Sequence, residues 1–268
     1  MLHLARDGDA VDVVLKAGPS ERRTEFACEV AALRFAEEHG LPAPRLIAAD
    51  LSGSLGSIAF VISALKGDST VPVEPTVERL RLAGAAAALV HRVPLRPQES
   101  LPIRVRQMPW IDFSEERRGG KSPTTDLLDE VDARLAAISP PPAETVLVHG
   151  DLWQGNLLFD GDVCVGIIDW EAAGAGDPGV DIGSLRWDAA ILFGPWAPEH
   201  ILAGWEFAAG RAAIDVAYWD LVAGANTPAD LSAMVDAIAQ QGRSDLDGGT
   251  LTARRDRFLD DALDSLGR

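Results

Sequence analysis

Apolar runs and turn signals predict a small β-sheet near the start of the chain. Leu2 to Lys16 reads as two short strands on either side of Asp7-Gly8-Asp9, which predicts a β-hairpin. Two more apolar runs, Leu46 to Ala49 and Ile58 to Ile62, flank a Ser/Gly turn and predict two further strands. The first part of the chain is therefore expected to be a sheet.

One helix interrupts these strands. Glu21 to His39 carries apolar residues at helical spacing on two opposite sides, so we expect both faces of this helix to be covered. Gly40 is placed to end it, and Pro42 and Pro44 prevent its continuation.

From Pro75 onward the pattern is mostly helical. Helical spacing between Gly and Pro stops predicts helices over 75–92, 127–138, 184–192, 198–210, 212–224, 228–241 and 251–266. Residues 95–125 carry four prolines and are predicted to be irregular.

The remaining stretch, Val146 to Gly183, mixes short apolar runs with polar residues. Val146 to Val148 and Leu157 to Phe159 predict buried strands on either side of a polar loop, and Val163 to Ile168 predicts a third strand. The turn at residues 160–162 reverses the chain, so Asn156 and Asp169 are expected at neighbouring ends of a hairpin.

Three side chains of this stretch are suited to phosphoryl transfer. Asp151 can take a proton from a hydroxyl group, and Asn156 and Asp169 can hold magnesium on the phosphates of a nucleotide. The alternative for Asp151 is a turn-capping role beside Gly150. The shared spacing of the three residues favours the catalytic interpretation.

The pattern His149-x-Asp151-x-x-x-x-Asn156, followed by Ile167-Ile168-Asp169-Trp170-Glu171, resembles the catalytic core of the aminoglycoside phosphotransferase and choline kinase family. The resemblance implies an α+β, protein-kinase-like fold with two lobes. The small lobe, residues 1–65, would hold a β-sheet and one helix. The larger, mainly helical lobe would span residues 66–268. It also implies transfer of the γ-phosphate of ATP to a hydroxyl group, with Mg2+ on Asn156 and Asp169.

The same resemblance suggests supporting roles around the catalytic residues. His149 would orient the loop by hydrogen bonding rather than by proton chemistry, and Asp181 would support the loop backbone from behind. Trp153 and Trp170 are candidates for the border of the acceptor pocket, although tryptophans are often simply core residues. Glu171 is a candidate ligand for a second ion or for the substrate.

A nucleotide site in the small lobe is implied as well. Lys16, at the end of its strand, would reach the α and β phosphates, and Glu29 on the helix would pair with it. Glu25, one turn earlier, is the competing partner. The hinge segment (Ile62-Ser63-Ala64) would present backbone groups to an adenine edge.

The chain begins inside or just before the second strand of the resembled fold. We therefore expect the strand and phosphate loop that precede the lysine hairpin in that family to be absent from this sequence. Three alternatives would account for this: the chain lacks its N-terminal part, another segment substitutes for the loop, or nucleotide binding is weaker.

The composition and net charge of the chain restrict the kinds of binding partner that are expected. The 268 residues are 47% hydrophobic and 24% charged, as in ordinary globular proteins. The net charge of −17 argues against nucleic acid or an anionic membrane as partner and suits a cationic substrate, although an acidic surface also aids solubility. No signal peptide or spanning segment is recognisable, and Cys28 and Cys164 are expected to be free thiols, so a cytoplasmic location is expected.

Two functions follow from these residues. The first is a small-molecule kinase that phosphorylates a hydroxyl group; relatives act on aminoglycosides, macrolides, choline, homoserine and fructosamines, and GTP could replace ATP. The second is a kinase-like protein that binds a nucleotide or metabolite without turnover.

Overall fold

The first sheet of the protein is antiparallel and has four strands. A computed structural model describes residues 2–6, 9–54, 56–138 and 145–267. The strands are β1 (Leu2–Arg6), β2 (Asp9–Gly18), β3 (Leu46–Asp50) and β4 (Ile58–Ser63). They lie in the order β1-β2-β4-β3. All four predicted strands are present, and the turn predicted at Asp7-Gly8 lies outside the described residues.

Helix α1 (Arg23–Glu38) packs on this sheet. Phe26 meets Phe60 of β4 edge to face, with ring centroids 5.2 Å apart. Both Val30 and Ala32 are buried, as expected for a helix covered on two sides. Gly40 follows the helix with a φ of 65°, a left-handed conformation that favours glycine and ends the helix where predicted.

A second sheet and a separate hairpin follow later in the chain. The strands are β5 (Ile103–Arg104), β6 (Val146–Val148), β7 (Leu157–Asp160), β8 (Val163–Ile167) and β9 (Gly174–Gly176). In the second sheet β9 lies between β5, to which it is parallel, and β6, to which it is antiparallel. The β7–β8 hairpin is the one predicted around residues 160–162.

The rest of the described chain is mainly helical. The helices are α2 (Val77–His91), α3 (Phe113–Arg118), α4 (Asp126–Ala137), α5 (Gly179–Phe193), α6 (Pro198–Ala209), α7 (Val216–Ala225), α8 (Val235–Gln240) and α9 (Gly248–Ser265). All 15 residues of α5 are buried. This helix is therefore the centre of the larger lobe, and the loop that follows β6 rests on it.

Helices α2 and α6 approach each other unusually closely. A Cβ atom on Gly84 would lie 2.0 Å from the carbonyl oxygen of Ile201, and one on Gly204 would lie 1.9 Å from that of Arg81. Both positions therefore require glycine, because any side chain would push the helices apart.

The structure corrects several predicted helix boundaries. The helix predicted over 212–224 begins only at Val216, because Asp215 before it has a left-handed conformation with a φ of 54°. The segment 228–241 is divided into a short 3-10 turn, Leu231–Met234, and α8. Residues 95–125 are not wholly irregular, since they contain β5 and α3, whose first turn is capped by the Asp112 side chain.

Strand β9 was not predicted, and its composition explains why. Its sequence is Gly174-Ala175-Gly176, which carries no β-branched or aromatic residue. A Cβ atom on Gly174 would lie 2.3 Å from the carbonyl oxygen of Pro102, so the close approach of β5 excludes larger residues.

Among the described residues, no helix is both long and apolar enough to cross a membrane. The lobe boundary after Leu65 stays a prediction.

Candidate active site

The loop that follows β6, residues 149–156, begins with a tight turn. Gly150 has a φ of 78°, and a Cβ atom there would lie 2.2 Å from the carbonyl oxygen of Ala172. Glycine is therefore needed twice, for its conformation and for the close approach. The turn directs the chain from the buried strand to Asp151, the first of the three residues singled out in the sequence.

Asp181, on the first turn of α5, holds this turn in place. Its Oδ2 accepts a hydrogen bond from the His149 N–H at 2.7 Å, and its Oδ1 accepts one from the Gly150 N–H at 2.8 Å. His91 Nε2 lies 3.0 Å from the same Oδ2, and His91 Nδ1 accepts a hydrogen bond from Trp205. Burial disfavours a charge here, but His91 and the backbone donors keep the pKa of Asp181 below its usual value.

His149 is a neutral, fully buried link between two segments. Its Nε2 lies 2.9 Å from the Ile168 carbonyl oxygen, and its Nδ1 accepts the Asp151 N–H at 3.3 Å. Since Nδ1 accepts, the proton belongs on Nε2, which donates to Ile168. Burial lowers the pKa of His149, in keeping with this neutral form. The ring therefore orients the loop.

Asp151 has an environment suited to a base. Burial, followed by the nearby charges of Asp169 and Glu171, raises the pKa of Asp151 to about 7. The side chain of Asn156 acts in the opposite direction and lowers the pKa of this carboxyl group. A carboxyl group with such a pKa can accept a proton near neutral pH and release it again.

Asn156 and Asp169 lie at the adjoining ends of the β7–β8 hairpin, as predicted. Leu157 is paired with Ile167, and the Ile168 N–H donates to the Asn156 carbonyl oxygen at 2.9 Å. The Asn156 Nδ2 donates to the backbone oxygen of Asp151 at 2.8 Å, so the three residues form one group. Asp169 itself has a φ of 68°, a conformation rare for a residue with a side chain and frequent at functional sites.

Lys16 connects the first sheet to this group. Its Nζ lies 2.6 Å from Glu29 Oε1 and 2.5 Å from Asp169 Oδ1. Although burial opposes it, the charges of Glu29 and Asp169 raise the pKa of Lys16. Burial also raises the pKa of Glu29 to about 7, while Lys16 acts in the opposite direction. Lysine is therefore held between two carboxyl groups from different parts of the chain.

The competing residue, Glu25, has a different partner. It forms an ion pair with Arg22, whose Nη2 also lies 2.7 Å from Glu171 Oε2. Carboxylate oxygens of Glu29, Asp169 and Glu171 lie within 4.8 Å of one another. Arg22 and Lys16 therefore each neutralise part of the negative charge of these three carboxylates.

A cavity of about 240 Å³ opens between the hinge segment and the β7–β8 hairpin. It is lined by Val14, Lys16, Pro44, Ile62, Ser63, Ala64, Leu65, Leu158, Ile168 and Asp169. The lining is mainly apolar, with Lys16 and Asp169 supplying the charges. This is the place where the sequence predicted a nucleotide.

The backbone of the hinge segment is partly occupied. The Ser63 N–H donates to the Arg45 carbonyl oxygen at 2.9 Å, and the Ala64 N–H donates to that of Asp12 at 3.0 Å. These two N–H groups are therefore already occupied and would not be available to an adenine edge in this cavity.

The two tryptophans proposed for the acceptor pocket differ. Trp170 is 0% exposed, donates its Nε1–H to the Ile167 carbonyl oxygen and packs against His149, so it is a core residue. This excludes it from the lining of an open pocket. Trp153 is only partly buried, and its ring covers Gly155.

Sequence reasoning missed several residues that support the site. Arg22 pairs with Glu171, and Asp188 of α5 accepts a hydrogen bond from the loop residue Gln154. The signal for Asp188 is its spacing from Asp181, close to two helical turns, because the observed α5 begins at Gly179, earlier than the predicted helix over 184–192. For Arg22, no pattern indicated contact with a residue so far along the chain.

Fold and site together define a protein-kinase-like phosphotransferase. A small sheet with one helix, a mainly helical larger part and a cavity lined by both Lys16 and Asp169 make up this arrangement. The chain belongs to the phosphotransferase enzyme family, whose model matches residues 3–222. The resemblance stated from the motifs is thereby confirmed, and so is the fold class.

Individual relatives agree with this assignment. The chain is 26% identical to an aminoglycoside 3'-phosphotransferase of Streptomyces fradiae, over 69% of this chain and 74% of the relative. It is 28% identical to a homoserine kinase of Allorhizobium ampelinum, over 72% of this chain and 58% of that kinase. The structure of an amicoumacin kinase in complex with AMP-PNP and Ca2+ superposes with a TM-score of 0.61 at 13% identity. That match covers 98% of this chain and 84% of the other.

The protein is therefore a small-molecule phosphotransferase, an ATP-dependent enzyme with an alcohol group as acceptor. Family members use ATP together with a divalent metal ion, and the amicoumacin kinase was solved with both a nucleotide analogue and such an ion.

Proposed function

We propose that the protein transfers the γ-phosphate of ATP to a hydroxyl group of a small acceptor, with Asp151 as the base. The observation that carries the proposal is the arrangement of three residues beside a cavity that Lys16 and Asp169 line: the Asn156 side chain bonds the backbone of Asp151, and Asn156 and Asp169 adjoin at the ends of the β7–β8 hairpin. Each residue type matches a requirement of phosphoryl transfer: a proton acceptor, oxygen ligands for a metal ion and a cation for the phosphates.

In the reaction, the carboxylate of Asp151 takes the proton of the acceptor hydroxyl group. The hydroxyl oxygen forms a bond to the γ-phosphorus, and the bond from that phosphorus to the bridging oxygen of ADP breaks. The pKa of about 7 supports this role, because the carboxylate is a stronger base than an ordinary aspartate yet is still ionised in part at neutral pH. Positioning of Asp151 by the loop would contribute further to the rate acceleration.

The donor atoms at the site fit Mg2+. Asn156 and Asp169 offer oxygen atoms, the ligands that this ion prefers, and the Asp169 side chain is 47% exposed to the cleft. When bound, the ion would neutralise charge on the β and γ phosphates. Lys16 would donate to the α and β phosphates, while Glu29 would keep its side chain directed along the cleft.

For the acceptor we propose a small molecule with a free hydroxyl group, and a cationic one fits best. The formal net charge of −17 would attract such a molecule to the cleft. Trp153 and Glu171 stay candidates for contacts with it. We expect the enzyme to act in the cytoplasm, because ATP is supplied there.

The proposal can be tested with purified protein, Mg-ATP and a panel of hydroxyl compounds. The panel should contain an aminoglycoside, a macrolide, amicoumacin, homoserine and choline, with GTP in a parallel series. We expect transfer to at least one acceptor, and a fall in kcat of about 10²- to 10⁴-fold in the Asp151→Asn variant.

A matched control is Asp160→Asn, which changes an exposed carboxylate at the last residue of β7. This variant should keep the kcat of the unmodified enzyme. Unchanged turnover in Asp151→Asn would refute the role of Asp151. Nucleotide binding without transfer to any acceptor would instead support the non-catalytic alternative.

A further inference from the structure

Two aspartates lie on one face of the buried helix α5. Asp181 and Asp188 are seven residues apart, which is about 20° short of two full helical turns. They therefore project in nearly the same direction, about 10 Å apart along the helix axis. The loop 149–156 runs beside this face.

The two carboxyl groups bind opposite ends of the loop. Asp181 accepts hydrogen bonds from His149 and Gly150 at its start. Asp188 Oδ2 accepts the Gln154 N–H at 2.9 Å, near its end. Asp151, which lies between these two attachments, is thus held from both sides.

The second attachment leads directly to Asn156. Gln154 is the first and Asn156 the last residue of a 3-10 turn. Within that turn the Leu157 N–H donates to the Gln154 carbonyl oxygen, and the Asn156 N–H donates to that of Trp153 at 3.0 Å. A shift of Gln154 would consequently move Asn156 relative to Asp151.

Asp188 also differs from the other buried aspartates on the helices of the larger lobe. Asp132 is paired with Arg117, Asp220 with Arg186, and Asp181 with His91. Asp188 is 3% exposed and forms no ion pair with any residue in the described ranges, and the only charge there that favours its ionised form is the more distant one of Arg243. Burial raises the pKa of its carboxyl group to about 7. Such burial is unfavourable without a partner, so the Gln154 hydrogen bond is its evident structural contribution.

We propose that Asp188 is a positioning residue for phosphoryl transfer: together with Asp181 it clamps the catalytic loop to α5 and fixes Asn156 relative to Asp151. The inference rests on the proposed function of this loop. Asp188 acts through the backbone of Gln154, because the side-chain amide of Gln154 makes no hydrogen bond with the described residues.

The test uses the full chain and variants at both ends of this hydrogen bond. Asp188→Leu removes the acceptor and keeps the number and branching of the side-chain heavy atoms, whereas Asp188→Asn keeps an acceptor oxygen. Gln154→Pro removes the donor, and proline is compatible with the first position of the turn because the preceding Trp153 is extended. Asp220→Asn is the matched control. The Asp220 carboxylate is as buried as that of Asp188, but it pairs with Arg186 of α5 instead of with the loop.

We expect kcat to fall about 10- to 100-fold in Asp188→Leu while KM for ATP stays unchanged, and to fall much less in Asp188→Asn. The double variant Asp188→Leu/Gln154→Pro should lose no more than the stronger single variant, because both remove the same hydrogen bond. Asp220→Asn should lower the melting temperature without changing kcat. Equal losses of kcat in Asp188→Leu and Asp220→Asn, or additive losses in the double variant, would overturn the proposal.

A second measurement does not depend on turnover. Amide hydrogen exchange of residues 149–156 should accelerate in Asp188→Leu and in Gln154→Pro, but not in Asp220→Asn. Unchanged exchange in both loop variants would refute the clamp. Faster exchange in a protein that transfers no phosphate would instead leave the clamp standing and place the failure with the proposed function.

Discussion

The two sides of the candidate active site are supported in opposite ways. On one side, the loop from His149 to Asn156 rests on α5 through Asp181, a residue with no exposed surface. On the other side, Asp169 is 47% exposed, has a left-handed backbone and is tied to Lys16 by an ion pair. One side is fixed by buried hydrogen bonds and the other by charges that solvent and ligands can reach.

The two kinds of support suit two different roles in the site. Buried hydrogen bonds would keep the proposed base and its neighbours in one geometry before any substrate arrives. An ion pair near the surface contributes little to stability and can be exchanged for another partner. We therefore propose that Lys16 leaves Asp169 for a phosphate when a nucleotide binds.

The largest effect is expected from breaking the buried side. Asp181→Leu would leave the N–H groups of His149 and Gly150 without their acceptor and remove the partner of His91. We expect the free energy of unfolding to fall by about 3 to 5 kcal/mol, as for other disrupted buried pairs. Urea denaturation of the purified protein measures this directly.

Asp169→Asn is the comparison for that experiment. Because Asp169 is half-exposed, this change should alter the free energy of unfolding by less than about 1 kcal/mol while abolishing transfer. If the two variants lost similar stability, the two sides would not differ in the way described.

The second effect concerns the exchangeable side. Lys16→Met removes the cation between Glu29 and Asp169, and we expect KM for ATP to rise about 10- to 100-fold, the equivalent of one charged hydrogen bond. Stability should change little, since the released Glu29 can bind a proton near neutral pH. Steady-state kinetics with ATP as the varied substrate provides the measurement.

Lys66→Met, at an exposed position just beyond the hinge segment, is the matched control. It should leave KM for ATP as it is. A normal KM in Lys16→Met would show that this lysine does not bind the phosphates.

The same contrast explains how far the sequence alone could lead. The turn pattern placed Asn156 and Asp169 correctly at neighbouring ends of a hairpin, because a hairpin with a short turn leaves few alternatives. The pairing of Glu29 with Lys16 was implied by the family resemblance, and this ion pair is present in the structure. The hairpin is a local relationship, which periodicity and turn residues encode.

Contacts between distant segments were beyond the sequence. Three features depend on tertiary packing. Arg22 pairs with Glu171, and the N–H groups of Ser63 and Ala64 form hydrogen bonds with the carbonyl groups of Arg45 and Asp12. Strand β9 lies between β5 and β6. Trp170 was considered for the pocket because of its neighbour Asp169, but a buried indole cannot be distinguished from an exposed one by sequence position alone.

The smallest predicted effect is a pH dependence that separates the two sides. The base must be unprotonated to accept the hydroxyl proton, so kcat/KM should rise with pH up to the pKa of Asp151, about 7, and level off above it. At one unit below this pKa, activity should be about tenfold lower. The profile of kcat/KM between pH 5 and 9, taken with one fixed acceptor, tests the direction.

Glu29 also has a pKa of about 7, so its protonation could give a similar profile. Protonation of Glu29 would weaken its hold on Lys16, whereas protonation of Asp151 removes the base itself. Glu29→Gln separates the two, because it fixes residue 29 in a neutral form at every pH. If the rising limb belongs to Asp151, it persists in Glu29→Gln at a lower overall activity. A profile that becomes flat in this variant would show that the rising limb reports the protonation of Glu29 instead.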